Sequence, residues 1–339
     1  MLQQVMTEPG NIEFREIPVP EINDDQVLVK IMKIGICGSD IHVYEGEHPY
    51  TSYPVVQGHE VAGKIEKKGA DVLGFEIGDK VTIQPQVVCG ECYPCKQGRY
   101  NICNDLKVMG FQTTGMASEY FAVDAEKVIK IPEGISFDEG ALIEPLAVAV
   151  HALQKGTKIK NKNILVIGGG PIGNLVAQAA SGMGAKSVML TEISEYRLDV
   201  ARKCGIDFCL NPRNKNLEEE IKNNFGEIKA DKILECVGRE ETISQAIDNA
   251  RKGTDIIVVG VFGKKPKVDL GLVQDQELRL IGSLMYKKED YRKAIDLIKK
   301  EKINLSPLIS THFDFNEYQE AYQYIEEKKD EVIKVIIEL

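Results

Sequence analysis

Between Ile164 and Val261 the sequence switches repeatedly between short apolar runs and longer amphipathic stretches. The runs Ile164–Ile167, Ser187–Thr191, Phe208–Leu210, Asp231–Cys236 and Asp255–Val261 read as strands. The stretches Ile172–Met183, Glu195–Cys204, Leu217–Asn224 and Glu241–Ala250 read as helices. Regular alternation of this kind leaves few architectures. It predicts an α/β fold with a doubly wound parallel sheet and helices on both faces.

The first strand–helix turn of this region is Gly168-Gly-Gly170-Pro171-Ile172-Gly173. It satisfies G-x-G-x-x-G, with an apolar strand before it and a helix after it. Gly168 allows a tight turn, Gly170 lets a pyrophosphate approach the backbone, and Gly173 allows close helix–strand packing. The helix start, Pro171-Ile172, would offer free N–H groups to the phosphates. Glu192, at the end of the next strand, stands at about the expected 20-residue distance for a ribose-binding carboxylate. Its charge would repel a 2′-phosphate, which favours NAD over NADP. Arg197, on the following helix, is a further candidate cofactor contact.

The first 140 residues have a different texture. Short β-type runs, such as Val27–Ile31, Val61–Ile65 and Lys80–Ile83, are broken by frequent glycines. This predicts an irregular β-rich domain. Helix is expected over Glu139–Gln154. Near the C-terminus, helices are expected over Glu289–Lys300 and Asn316–Glu327, with a last strand at Val332–Ile337. This tail is too short to fold alone and is expected to rejoin the first domain. The expected division is 1–145 with 282–339, and 146–281 as an inserted dinucleotide-binding domain.

Two groups of residues have the chemistry of metal ligands. Cys89, Cys92, Cys95 and Cys103 form C-x2-C-x2-C-x7-C in a lobe spanning 86–106. Four thiolates at this spacing can close a tetrahedral zinc site, leaving no position for substrate. Cys37 and His59 make a second, open set with a carboxylate from Glu60 or Glu144. A catalytic zinc needs about three protein ligands and one exchangeable position. Glu144 sits in the apolar run Leu142-Ile-Glu-Pro-Leu-Ala147, where an unpaired carboxylate would be costly. Ser39 and His42, shortly after Cys37, could relay a proton from a metal-bound hydroxyl to solvent. Asp40 reads as a helix cap, and His48, His151 and His312 as structural. Cys204, Cys209 and Cys236 read as buried small hydrophobes.

The net charge is −10, which disfavours nucleic acid and anionic membranes as partners. No run of 18 apolar residues is present, so no membrane span is expected. The N-terminus lacks a secretory pattern, and eight cysteines in a long chain fit reduced thiols and metal better than disulfides. A cytoplasmic setting is the expectation.

Gly58-His59-Glu60-x2-Gly63-x5-Gly69-x2-Val72, the four-cysteine lobe and the glycine turn together resemble the zinc-dependent medium-chain dehydrogenase/reductase superfamily over the whole chain. The resemblance implies a GroES-like catalytic domain around a Rossmann-type domain, two zinc ions per chain, NAD, and a homotetramer or homodimer. Ile143-Glu-Pro-Leu-Ala-Val148 resembles the polyol branch, which acts on sorbitol, galactitol phosphate, sugar acids or butanediol. Met285 stands where sorbitol dehydrogenases carry a polyol-holding arginine, which counts against sorbitol itself. Tyr44, Phe111 and Tyr286 are candidate pocket residues. The implied reaction is oxidation of a secondary alcohol by NAD. A threonine 3-dehydrogenase and a non-catalytic zinc- and dinucleotide-binding protein are the alternatives.

Overall fold

Asn163-Ile-Leu-Val-Ile167 is buried along its whole length, as befits a strand covered on both faces. In the computed structural model, which describes residues 1–339, it lies inside a six-stranded parallel sheet. The spatial order is Phe208–Leu210, Ser187–Thr191, Asn163–Ile167, Lys232–Glu235, Asp255–Val258, Arg279–Gly282. Numbered along the chain this is 3-2-1-4-5-6, the order of dinucleotide-binding sheets. The direction of winding reverses between Asn163–Ile167 and Lys232–Glu235, so the carboxyl ends of these two strands flank the switch point.

Gly173 is required by the turn that follows the first strand. A Cβ there would stand 1.9 Å from the Gly168 carbonyl oxygen. The helix Pro171–Gly182 begins with proline at its first position, where the missing N–H costs nothing.

The second fold unit is a seven-stranded, mainly antiparallel sheet. Its central strand, Gln26–Gly35, pairs with Glu60–Lys68, Tyr120–Asp124 and Lys334–Glu338. The last of these comes from the end of the chain and also pairs in parallel with Ile309–Asp314, through the helix Tyr318–Lys328. Two small antiparallel pairs complete the unit: Leu2–Glu8 with Asn11–Glu16, and Gln86–Val87 with Lys107–Val108.

The compact units are Met1–Glu144 with Ile309–Leu339, and Pro145–Leu308. Residues 282–308 thus belong with the parallel sheet, although the sequence suggested a boundary at 281. Their helix, Lys288–Lys299, explains this. It buries Tyr291, Ala294, Ile295, Leu297 and Ile298, and its Asp290 accepts from the ring of His151 at 2.8 Å. The side chain of Gln154 also bonds to Asp290.

The expected helix Glu139–Gln154 is two helices, Phe137–Ala141 and Ile143–Leu153. The first starts on a reciprocal cap. Ser136 Oγ accepts from the Glu139 N–H, and the Ser136 N–H donates to Glu139 Oε2. The break precedes Pro145, which has no N–H to continue the ladder. Glu144 therefore lies in the first turn of the second helix.

Candidate metal and dinucleotide sites

The lobe cysteines converge. One ligand atom from each of Cys89, Cys92, Cys95 and Cys103 lies within 4.8 Å of the others. Sγ of Cys103 is 3.5 Å from that of Cys89 and 3.8 Å from that of Cys92. A disulfide would require about 2.05 Å. Sulfurs bound at about 2.3 Å to one tetrahedral zinc would be about 3.8 Å apart. The spacing fits the metal and excludes the disulfide. Backbone N–H groups of Cys89, Cys92, Asn104 and Asp105 point at these sulfurs at 3.4–3.5 Å. The N–H groups of Asn104 and Cys95 pull the Cys92 thiol down to about 6, which favours the thiolate that a metal needs.

The second set forms where strand ends meet. Cys37 precedes the short helix Gly38–Tyr44, and His59-Glu60 opens the strand Glu60–Lys68. Ligand atoms of Cys37, His59 and Glu60 lie within 4.8 Å of one another. Glu144 does not join this set, although it is buried. Gly35 makes room for Glu60, since a Cβ at Gly35 would stand 2.3 Å from Glu60 Oε2.

Asp40 organises both neighbours. Its Oδ2 accepts the Cys37 N–H at 2.9 Å, and its Oδ1 lies 3.4 Å from His59 Nδ1. The latter contact is electrostatic rather than an aligned hydrogen bond. It leaves Nε2 as the nitrogen for a metal. Burial works against a charged imidazole, yet Asp40 and Cys37 hold His59 well above its ordinary pKa. The negative field responsible is one that a cation would also feel. Gln57 Nε2 donates to the Asp40 carbonyl at 3.2 Å, and Tyr322 Oη donates to Gln57 Oε1 at 2.7 Å. The C-terminal helix thereby buttresses Asp40. A thiolate, an imidazole and a carboxylate, held by such partners, fit zinc.

Ser39 and His42 both lie on the helix Gly38–Tyr44. Ser39 is half-buried. His42 is exposed, with Nδ1 3.4 Å from Glu45 Oε2. Of the aromatic pocket candidates, only Phe111 touches the metal set, its ring centre 5.0 Å from that of His59. Tyr44 stacks on Tyr322 at 4.6 Å, and Tyr286 is fully buried against Tyr291. Both are core residues. His312 joins Asp138 and Glu338 in another cluster, but Lys33 already pairs with both carboxylates there.

In the dinucleotide unit, Glu192 ties the glycine turn to its neighbour strand. Its Oε2 accepts the Gly169 N–H at 2.8 Å, and its Oε1 accepts from Ile193 and Ser194 at 2.7 and 3.0 Å. Arg197 lies in the first turn of the helix Glu195–Lys203. Sequence reading missed Glu235. Fully buried at the end of its strand, it accepts from the N–H groups of Val237 and Gly238 and from the Thr242 hydroxyl at 2.8–2.9 Å. Exposed Ile193, Val237, Val261 and Leu284 each follow the carboxyl end of a parallel strand. Apolar side chains left in solvent there suit the crevice where open α/β sheets bind ligands.

Comparison with known proteins agrees with this geometry. Residues 23–133 match the model of the alcohol dehydrogenase GroES-like domain, and residues 171–300 match that of zinc-binding dehydrogenases. The chain is 31% identical to a sorbitol dehydrogenase of Bacillus subtilis, over 99% of this chain and 97% of the relative. It is 34% identical to a D-arabitol-phosphate dehydrogenase of Enterococcus avium, over 97% and 95% of the two. A crystal structure described as a short chain alcohol dehydrogenase from E. coli CFT073, complexed with NADH, superposes with a TM-score of 0.92 at 30% identity. That match covers 100% of this chain and 99% of the other.

Proposed function

We propose that this chain, which belongs to the zinc-dependent medium-chain dehydrogenase/reductase superfamily and its polyol dehydrogenase-like branch, oxidises a secondary alcohol of a polyol, sugar acid or diol with NAD. The observation that carries the reading is the convergence of the half-buried Cys37 with the buried His59 and Glu60, alongside a separate four-cysteine set. One set is closed and the other leaves a position for substrate.

Cys37, His59 and Glu60 hold the catalytic zinc, and Cys89, Cys92, Cys95 and Cys103 the structural one. Zinc in the open site supplies a Lewis acid that lowers the pKa of a hydroxyl, and NAD supplies the hydride acceptor. Asp40 fixes the imidazole of His59. Glu144, in the same unit but outside the ligand set, acts on turnover rather than on metal retention. Ser39 Oγ accepts the proton of the substrate hydroxyl as its own hydroxyl proton moves on towards the imidazole of His42, which releases a proton to solvent. Gly168, Gly170, Pro171, Ile172 and Gly173 cradle the pyrophosphate at a helix start. Glu192 accepts from the adenosine ribose, with Arg197 alongside. Relatives named for sorbitol and arabitol phosphate support the polyol class. Met285 supplies no guanidinium for a hexitol chain.

The test is NADH formation by the zinc-loaded protein over a panel of polyols, polyol phosphates, sugar acids, butanediol and threonine. Turnover should be fastest with a polyol, sugar acid or diol. Fastest turnover with threonine would replace this reading by the amino-acid one. No NADH from any member would overturn it.

A further inference from the structure

His48 reads in the sequence as a histidine without a partner, but the fold gives it a specific place. Its backbone N–H donates to the His42 carbonyl at 3.0 Å, on the loop that leaves the helix Gly38–Tyr44. Its ring lies flat on Phe111, with centres 4.8 Å apart and planes 13° apart. The same Phe111 ring stands 5.0 Å from the ring of His59. One aromatic ring therefore separates the imidazole of the metal set from a second imidazole.

Thr51 Oγ1 lies 2.7 Å from His48 Nδ1. Stacking and this bond together fix the ring, and Nε2 is the nitrogen left over. The residue is half-buried. Burial lowers its pKa, with His42 and His59 acting in the same direction and Asp40 opposing. A fixed neutral imidazole can donate or accept one hydrogen bond at Nε2. Beside an apolar ring, that is a means of reading a hydroxyl group.

We propose that His48 is a specificity-determining residue whose Nε2 hydrogen-bonds a substrate hydroxyl other than the reacting one. It thereby favours polyols over alcohols with a single hydroxyl. The inference rests on the function proposed above. A site that hydrogen-bonds a hydroxyl discriminates strongly against analogues lacking it, because its own polar group is then left unpaired.

The experiment compares kcat and KM of the zinc-loaded full-length protein for a polyol and for a secondary alcohol of equal chain length with one hydroxyl. His48→Phe keeps a ring on Phe111 and removes Nε2, His48→Ala removes both, and His48→Gln restores an amide. The polyol-to-monoalcohol ratio of kcat/KM should fall roughly tenfold in His48→Phe and His48→Ala, mostly through KM for the polyol, and recover in part in His48→Gln. If only one of the two folds, the other reads the same ratio. A ratio equal to that of the wild type, whether both activities fall together or neither does, overturns the inference while leaving the polyol dehydrogenase reading intact. A wild type that makes no NADH from any polyol overturns the inference about His48, and one that makes none from any member of the panel overturns both.

Discussion

Lys334 Nζ lies 2.5 Å from Glu60 Oε2, and solvent reaches neither side chain. Lys334 comes from the final strand and also donates to the Ile36 carbonyl at 3.0 Å. Two charges taken out of water are stable only when paired and hydrogen-bonded. The last strand therefore supplies a charge of the candidate metal site as well as a place in the sheet.

Replacing Lys334 by Met would leave Glu60 buried without its cation. Breaking one side of such a pair costs about 3–5 kcal/mol. A bound zinc would supply positive charge in place of the ammonium. The expected result is a larger loss of melting temperature in the metal-free protein than in the zinc-loaded one. Calorimetry on both forms checks this, and equal losses would show that the metal does not share the Glu60 carboxylate.

The two carboxylates separate under mutation. Glu60→Ala should lose the catalytic zinc and keep the structural one, giving about one zinc per chain by metal analysis. Glu144→Ala should keep both ions while its turnover falls. If Glu144→Ala lost a zinc and Glu60→Ala retained both, the ligand assignment would be reversed.

The lobe makes a different prediction. Of residues 89–107 only Asn101 and Cys103 are buried, so metal takes the place of a core there. Cys92→Ser should lower the zinc content and reduce thermal stability by several kcal/mol. NADH binding by the surviving folded protein should persist. A variant with unchanged metal content and melting temperature would remove the structural role of this site.

Acid sensitivity is built into the dinucleotide unit at Asp290. Burial would raise its pKa, but hydrogen bonds from His151 and from the Lys287 N–H hold it below the ordinary carboxylate value. A depressed carboxylate stabilises the fold fully above its unfolded pKa of about 3.9 and loses that contribution as pH falls through the lower folded value. Asp290→Asn should therefore cost about 1.5–3 kcal/mol at neutral pH. The gap from the wild type should narrow as pH falls below about 4. A gap of constant size down to acid pH would rule out the charged carboxylate as its source.

Local spacing made much of this molecule legible. Cysteines three residues apart, a histidine and a glutamate side by side, and glycines in a strand–helix turn carry their chemistry in neighbouring positions. Contacts between distant segments do not. Nothing near Lys334 announces that it will meet Glu60, and nothing near Tyr322 announces that it supports Asp40 through Gln57. Asp40 reads as a helix cap, which it is, yet its second oxygen faces His59. Tyr286 reads as a candidate pocket residue, but it is fully buried against Tyr291. The segment 282–308 was assigned by its place in the chain, whereas the buried face of the helix Lys288–Lys299 assigns it to the parallel sheet. The strand Leu2–Glu8 is hard to read because its buried residues, Gln4, Val5 and Met6, are consecutive rather than alternating, and Asn11–Glu16 alternates over only two apolar residues, Ile12 and Phe14.

The central claim is that the convergent Cys37, His59 and Glu60 serve a metal-dependent, NAD-linked oxidation of an alcohol. The most direct measurement removes zinc with a chelator and restores it stepwise, following bound metal, NADH binding and NADH formation from the preferred polyol. The account predicts that NADH binding survives removal of the catalytic zinc, that turnover disappears with it, and that turnover returns only as that site refills. Full turnover in protein shown by metal analysis to hold no catalytic metal would contradict it.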